Sequence, residues 1–271
     1  MAGLTLSMGL GLRRTGRHGP VYDARAKTLF DFWDGVGAPA THGVKGLYND
    51  TIVALQDTGI WADADLIAFT AAVNTIQAMT DIKNPEAGKV FTLSNSPTIT
   101  ERYGVTGNGS SSYLGTWLVP ASNGNRWSVN SASVWSFTDT NAAASVPDVG
   151  AGETYAAYCI SRGVTDQMGG LINRVSGATT TAAAGSSAGL TGIQRIDATT
   201  ERLNRDGVQQ GSDATVAVAG RPTGQFRICG RSPSTYSPRR VGFAMAGASM
   251  ADKEADINTI VQDFIARIKV V

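Results

Sequence analysis

Residues 201–211, ERLNRDGVQQG, read as a β-hairpin, and the reading spreads outward from there. Asp206-Gly207 supplies the two positive-φ positions that a tight two-residue turn requires, with Leu203 and Val208 on the flanking strands. The neighbouring sequence has the same texture. Short β-type runs recur from about residue 64: 64–73 (ADLIAFTAAV, a buried strand), 91–100 (FTLSNSPTIT), 111–119 (SSYLGTWLV), 127–137 (WSVNSASVWSF), 153–161 (ETYAAYCIS), 168–176 (MGGLINRVS), 192–198 (GIQRIDA), 224–232 (GQFRICGRS) and 239–249 (RRVGFAMAGAS). Gly, Asn, Ser and Pro separate them at roughly 8–12 residue intervals, the pattern of an antiparallel sandwich or barrel. Pro120, Pro147, Pro222, Pro233 and Pro238 fall in turns or at strand edges, where a missing N–H does no harm.

Helical periods flank this β region. In 23–37, Ala26, Leu29, Phe30, Trp33 and Val36 recur at helical spacing before Gly35 and Gly37. In 46–61, Leu47, Thr51, Val53, Ala54 and Leu55 form a second face, ended by Gly59. Near the C-terminus, about 250–269, Ile257, Ile260, Val261, Phe264, Ile265 and Ile268 make one apolar stripe. Asp252 and Glu254 stand in its expected first turn and Arg267 and Lys269 in its last, with Ser249 as the expected cap. The stripe is expected to cover the outside of the sandwich. Residues 1–20 are Gly-rich and basic, and Leu4, Leu6, Met8, Leu10 and Leu12 alternate with small residues, as an added strand would. The expected organisation is an extended docking arm (1–20), a short helical segment (21–62) and the sandwich with its C-terminal helix (63–271).

Composition excludes several classes. The chain of 271 residues carries 23 Lys plus Arg against 22 Asp plus Glu, a net charge of +1, and 17% charged residues. That is too balanced for a nucleic-acid binder acting by bulk charge. No apolar run approaches the roughly 20 residues that a membrane-spanning helix needs, so no membrane insertion is expected. No positive residue precedes the first apolar stretch, so no secretory signal is read. Glycine reaches 32 of 271 residues, well above the roughly 7% of an ordinary domain. Cys159 and Cys229 lie far apart, each in an apolar run, as two buried thiols or as a disulfide between neighbouring strands.

The chemistry on offer is narrow. His18 and His42 are the only histidines and precede the β region, so a Ser–His–Asp or Cys–His site inside the sandwich is not available, nor a His-based zinc site. No nucleotide-binding glycine motif occurs, and the runs 105–113 (VTGNGSSSY) and 182–189 (AAAGSSAG) read as turns. Glycoside hydrolysis needs two carboxylates roughly 5–10 Å apart. No strand carries such a pair: Glu101, Glu153 and Glu201 stand alone, and Asp63 and Asp65 look like turn or cap residues. No catalytic residue, metal ligand or cofactor is therefore assigned. Flat aromatic rings offer the other route to sugars. Tyr113, Trp117, Trp127 and Trp135 cluster with Asn123, Asn125 and Arg126 between them, and the strand-like alternation assigns some of these rings to the core. Trp127 is the best exposed candidate, with Arg126 and Asn125 beside it. Tyr236, in the loop that also holds Arg239 and Arg240, is the second.

Three segments resemble a group of bacteriophage tail, fibre and spike proteins with a concanavalin A-like (laminin G-like) domain. Residues 54–85 and 95–120 resemble its opening, in which a Gly-Ile-Trp turn (Gly59-Ile60-Trp61), an Asn-Pro loop (Lys83-Asn84-Pro85) and a Gly104–Tyr113 hairpin follow in order. Residues 239–268 resemble its closing strand and helix, and the hairpin at 201–208 its central one. The resemblance implies a mainly β, antiparallel jelly-roll sandwich with short N-terminal helices and a C-terminal helix. It further implies a virion structural protein, made in a bacterial cytoplasm, that displays a lectin-like domain for attachment to host surface polysaccharide. Leu4, Leu6, Leu10, Arg13 and Arg14 are the candidate docking residues toward other virion proteins, and a homo-oligomer, a trimer, is expected because weak sugar contacts gain from multivalency. Two alternatives stay open: an architectural cap or decoration protein without ligand, which requires all four aromatics to be buried, and a polysaccharide-degrading enzyme of the same fold.

Overall fold

The computed structural model describes residues 20–175 and 179–271. The docking residues Leu4, Leu6, Leu10, Arg13 and Arg14 lie outside the described residues. Two antiparallel sheets face each other, and a helical layer covers one of them. The larger sheet runs Val208–Gln209, Thr200–Arg205, Gly189–Arg195, Ala132–Thr138, Arg240–Gly247, Gly104–Thr106 and Thr98–Thr100, with Ala64–Ala68 also paired to Arg240–Gly247 and Ala214–Thr215 to Thr200–Arg205. The smaller sheet runs Thr180–Ala183, Gln167–Arg174, Ala156–Ile160, Val149–Ala151, Arg227–Ile228, Tyr113–Gly115 and Thr92–Ser94. The protein is a mainly β sandwich, as the spacing of the short runs predicts.

Alternation sorts each strand between two cores. In Ala132–Thr138, Val134 faces the smaller sheet, with Ile193, Ala244, Ala246, Phe226, Ile228 and Leu114, while Trp135 and Phe137 face the helices. The helical layer comprises α1 (Ala24–Gly35), α2 (His42–Asp57) and α3 (Glu254–Ile268). Its centre is aromatic: Tyr48 packs edge-on against Trp33 and Phe264 at 4.8 and 4.9 Å between ring centroids. Burying each such side chain contributes roughly 1.5–3 kcal/mol.

The expected hairpin forms, with Asp206 at φ 48° and Gly207 at φ 79°. The helices match their periods with three differences. Val36, expected on the apolar face of α1, follows its end at Gly35 and is exposed. On α2 the buried face is Val44, Leu47, Tyr48, Thr51, Ile52 and Leu55, while Val53 points outward, because it falls outside the i, i+3, i+4, i+7 positions counted from Val44. The last helix starts at Glu254. Asp252 adopts φ 69° before it, and Ser249, instead of capping, lends its hydroxyl to Gln194. All six residues of the α3 stripe are buried, as expected.

Cys159 and Cys229 are free and buried. Each lies in the inter-sheet core, and Cys159 instead contacts the Ser136 hydroxyl at 3.2 Å.

Candidate functional site

The site grows from two aspartates. The strand Ala64–Ala68 is buried throughout, so the Asp65 side chain enters the protein and must find donors. It finds three backbone N–H groups of one loop: Oδ1 accepts from Asn125 at 2.9 Å and Arg126 at 2.8 Å, and Oδ2 accepts from Trp127 at 2.8 Å. Asp81, fully buried, accepts from the N–H of Ile67 at 3.1 Å and of Lys83 at 3.0 Å, and from Asn84 Nδ2 at 2.7 Å. Its fourth donor is the indole N–H of Trp117, at 2.9 Å. Lys83 Nζ donates to the carbonyls of Trp61 and Ala64. Arg221 holds the far side of the loop through the carbonyls of Ala121 and Trp127, at 2.9 and 3.2 Å.

These bonds frame an open pocket of about 300 Å³ lined by Asp65, Lys83, Asn84, Trp117, Asn125 and Arg126. Trp117 is half-buried, and the Lys89 ammonium stands 4.4 Å from its ring centroid. Asn125 and Arg126 are exposed at the rim. Burial pushes the Asp81 carboxyl up, against the pull of its hydrogen bonds. Burial pushes the Lys83 ammonium down, and the nearby Arg126 acts the same way, while Asp65, Asp81 and Asp63 oppose. Every carboxylate oxygen of Asp65 and Asp81 already accepts an N–H. The pocket therefore offers an aromatic ring, amide and cationic groups, and carboxylates committed to holding loops.

The sequence-derived candidates separate. Asn125 and Arg126 do line the pocket. Trp127 does not: expected at the surface, it is 1% exposed, packed in the inter-sheet core, with its indole N–H on Asn173 Oδ1 at 2.8 Å. The Asp65 carboxylate draws the loop inward and turns that ring under it, leaving Trp117 as the ring at the surface. Trp135 is fully buried against the helical layer. Tyr236 is half-buried elsewhere, stacked on Tyr113 with 6.0 Å between centroids. Its neighbour Arg239 is no surface residue: fully buried, it pairs with Asp148 and donates to the carbonyls of Ala144 and Val146 at 2.9 and 2.7 Å. Glu201, read as standing alone, is buried inside its strand between Arg195 at 2.6 Å and Arg174 at 3.1 Å. Asp65 and Asp81 were missed as site residues. Asp65 carries a signal, since it is a lone charge inside an otherwise apolar strand.

Among the described residues, no group of three or more His, Cys, Asp or Glu side chains is placed to hold a metal ion, and no helix is long and apolar enough to cross a membrane. No family model and no curated protein sequence matches the chain. Solved structures do. A mutant of Trypanosoma rangeli sialidase displaying trans-sialidase activity aligns over 81% of this chain and 39% of its own, at 12% identity and a TM-score of 0.55. The HCR/D protein, solved as a single-substitution mutant, aligns over 75% of this chain and 53% of its own, at 9% identity and a TM-score of 0.51. The chain thus spans about two fifths of the sialidase and half of HCR/D, and the similarity is one of fold: an antiparallel β-sandwich.

Proposed function

We propose that this chain is a saccharide-binding β-sandwich whose sugar site is the Trp117 pocket, and that it serves as a tail, fibre or spike component of a phage-like particle. One observation carries the binding reading: a half-exposed indole is locked by its N–H to Asp81, beside the amide and cationic groups of Asn84, Asn125, Arg126 and Lys83. A ring fixed in this way stacks on a sugar face without losing rotamer freedom on binding. The architectural alternative requires every ring of the 113–135 stretch to be buried, and Trp117 and Tyr113 are not. A sialidase among the fold neighbours is compatible with a carbohydrate ligand. The virion setting rests on the sequence resemblance; in it the arm at residues 1–20 docks on other virion proteins and a homo-oligomer, a trimer, presents several weak sites together.

The hydrolase reading has one observation in its favour: burial raises the Asp81 carboxyl beside the pocket. Both oxygens of that group, however, already accept two N–H bonds each. One experiment separates the readings. The purified chain is titrated against a panel of soluble polysaccharides while new reducing ends are followed over time. Binding that Trp117→Ala weakens at least tenfold, with no new reducing ends, supports the proposal. New reducing ends lost in Asp81→Asn establish the hydrolase instead, and no binding to any polymer overturns the saccharide-binding reading.

A further inference from the structure

The outer face of the smaller sheet carries no helix among the described residues, and the pairing register sets one row across it. Leu171, Tyr158, Gly150, Arg227, Gly115 and Thr92 stand opposite one another on six adjacent strands. Directly paired residues share a face, and this face lies opposite the inter-sheet core, which the neighbours Ile172, Cys159, Val149, Ile228 and Leu114 fill. Leu171 and Tyr158 are buried in a small cluster at one end of the row, and the end at Arg227 and Thr92 reaches solvent. A Cβ on Gly150 would lie 2.5 Å from Cβ of Tyr158, so only glycine fits opposite that tyrosine.

Two guanidinium groups lie on tyrosine rings here. Arg227 stands 4.0 Å from the Tyr113 centroid, and Arg231 stands 5.1 Å from that of Tyr158. Tyr236 stacks on Tyr113 at 6.0 Å and 30°. Among the described residues neither arginine has a carboxylate partner, and the buried Nε of each has no hydrogen-bond partner. Arg227 spends one donor on the Pro233 carbonyl at 3.0 Å. A third cation, Arg174, is near enough that it and Arg231 both pull the Tyr158 hydroxyl down against its burial. Arg174 shares Glu201 with Arg195, at 3.1 and 2.6 Å, whereas Arg227 and Arg231 have no ion-pair partner among the described residues.

We propose that this face binds a saccharide chain bearing carboxylates, with Arg227 and Arg231 pairing to the acidic groups and Tyr113 and Tyr236 flanking the sugar rings. A guanidinium held flat on a ring keeps its planar fork in place, and that fork matches a carboxylate in two parallel hydrogen bonds. Tyr113, on the strand that gives Gly115 to the row, is four residues from Trp117, which follows that strand's end, a reach of at most about 13 Å. The inference deepens the saccharide-binding reading by giving the ligand a charge, and it rests on that reading for the ligand class alone.

The test compares the purified chain with Arg231→Gln, Arg227→Gln and Trp117→Ala, each titrated with polygalacturonate, neutral dextran, dextran sulfate and a DNA duplex at two salt concentrations. Arg231 makes no side-chain hydrogen bond to another described residue, so its variant serves should Arg227→Gln fail to fold. The expected result is a roughly tenfold weaker affinity of the arginine variants for polygalacturonate, unchanged affinity for dextran, and binding to polygalacturonate that weakens with salt. Arginine variants that bind polygalacturonate like the parent overturn the proposal, even if Trp117→Ala abolishes dextran binding and so upholds the pocket. Equal losses on dextran sulfate and DNA also overturn it, in favour of a general polyanion surface. A parent chain that binds no polygalacturonate overturns it outright.

Discussion

The carboxylate of Asp65 accepts the backbone N–H of Trp127 at 2.8 Å, across 62 residues of chain. With Asn125 and Arg126 it makes one side chain the organiser of a whole loop. Asp65→Ala leaves three N–H groups without their acceptor; that of Trp127 is buried, and a buried orphan costs about 1–3 kcal/mol. A loss within that range in urea-induced unfolding is expected, with Asp65→Asn, which keeps one oxygen, in between. An unfolding midpoint unchanged by Asp65→Ala would show that the loop holds itself.

Trp127 and Trp117 should part company. Trp127 is buried and hydrogen-bonded to Asn173, so Trp127→Ala should cost about 3–5 kcal/mol of stability, the usual range for a large buried aromatic. Trp117 is half-buried, and its removal should lower stability less while weakening saccharide affinity about tenfold or more. Calorimetric unfolding and polymer binding, measured on both variants, check the contrast. The same loss of stability in the two would contradict it.

A Cβ on Gly192 would sit 2.1 Å from the Trp135 ring, which lies across that backbone from the adjacent strand. Gly192→Ala must displace a fully buried indole, and overpacking of this kind costs about 1–3 kcal/mol. Gly185, with nothing near its Cβ position, is the matched control and should accept alanine with little change in Tm.

Burial pushes the Cys229 thiol up to about 12 from an ordinary value of 9.0, and raises Cys159 and Tyr48 as well. Above pH 9 the unfolded chain releases thiol protons that the folded chain still holds. The folded state then binds more protons, so stability falls with rising pH between about 9 and 12. Below that window the contribution is constant. Cys229→Ala should make the alkaline decline shallower, as read from unfolding midpoints at pH 8 through 11, and iodoacetamide should leave both thiols of the folded protein unmodified at pH 8. A decline identical in the variant would assign it to other groups.

How far the sequence discloses this molecule depends on the reach of each interaction. The hairpin at 201–211 is legible because Asp206-Gly207 determines its turn within two residues. The stripe of α3 is legible because its period needs no knowledge of what it packs on. Asp65 and Asp81 are not, since their partners lie up to 62 and 36 residues away and the need for them arises only when the chain closes. The aromatic cluster was half legible. Alternation from Leu114, which faces the core, places Tyr113 on the opposite side, whereas Trp117 follows the end of that strand at Gly115 and packs half-buried against the same core as Leu114. Trp127 precedes its strand, so alternation says nothing of it; the Asp65 bond decides its burial. Glu201 shares parity with Leu203, which signals an inward carboxylate, but the two arginines that neutralise it come from other strands.

The helical layer gives the molecule a back and a front. Tyr22, near the start of the described chain, bonds His42 at the head of α2 through its hydroxyl at 3.1 Å, and Val271 lies 3.8 Å from the Cβ position of Gly43 in the same turn. Both ends of the described chain therefore lie on one side, and the smaller sheet with its arginines, which no helix covers among the described residues, is on the other. Anything tethered through either end holds this body by its back, and copies tethered side by side turn the same front toward the outside with no hinge or rearrangement.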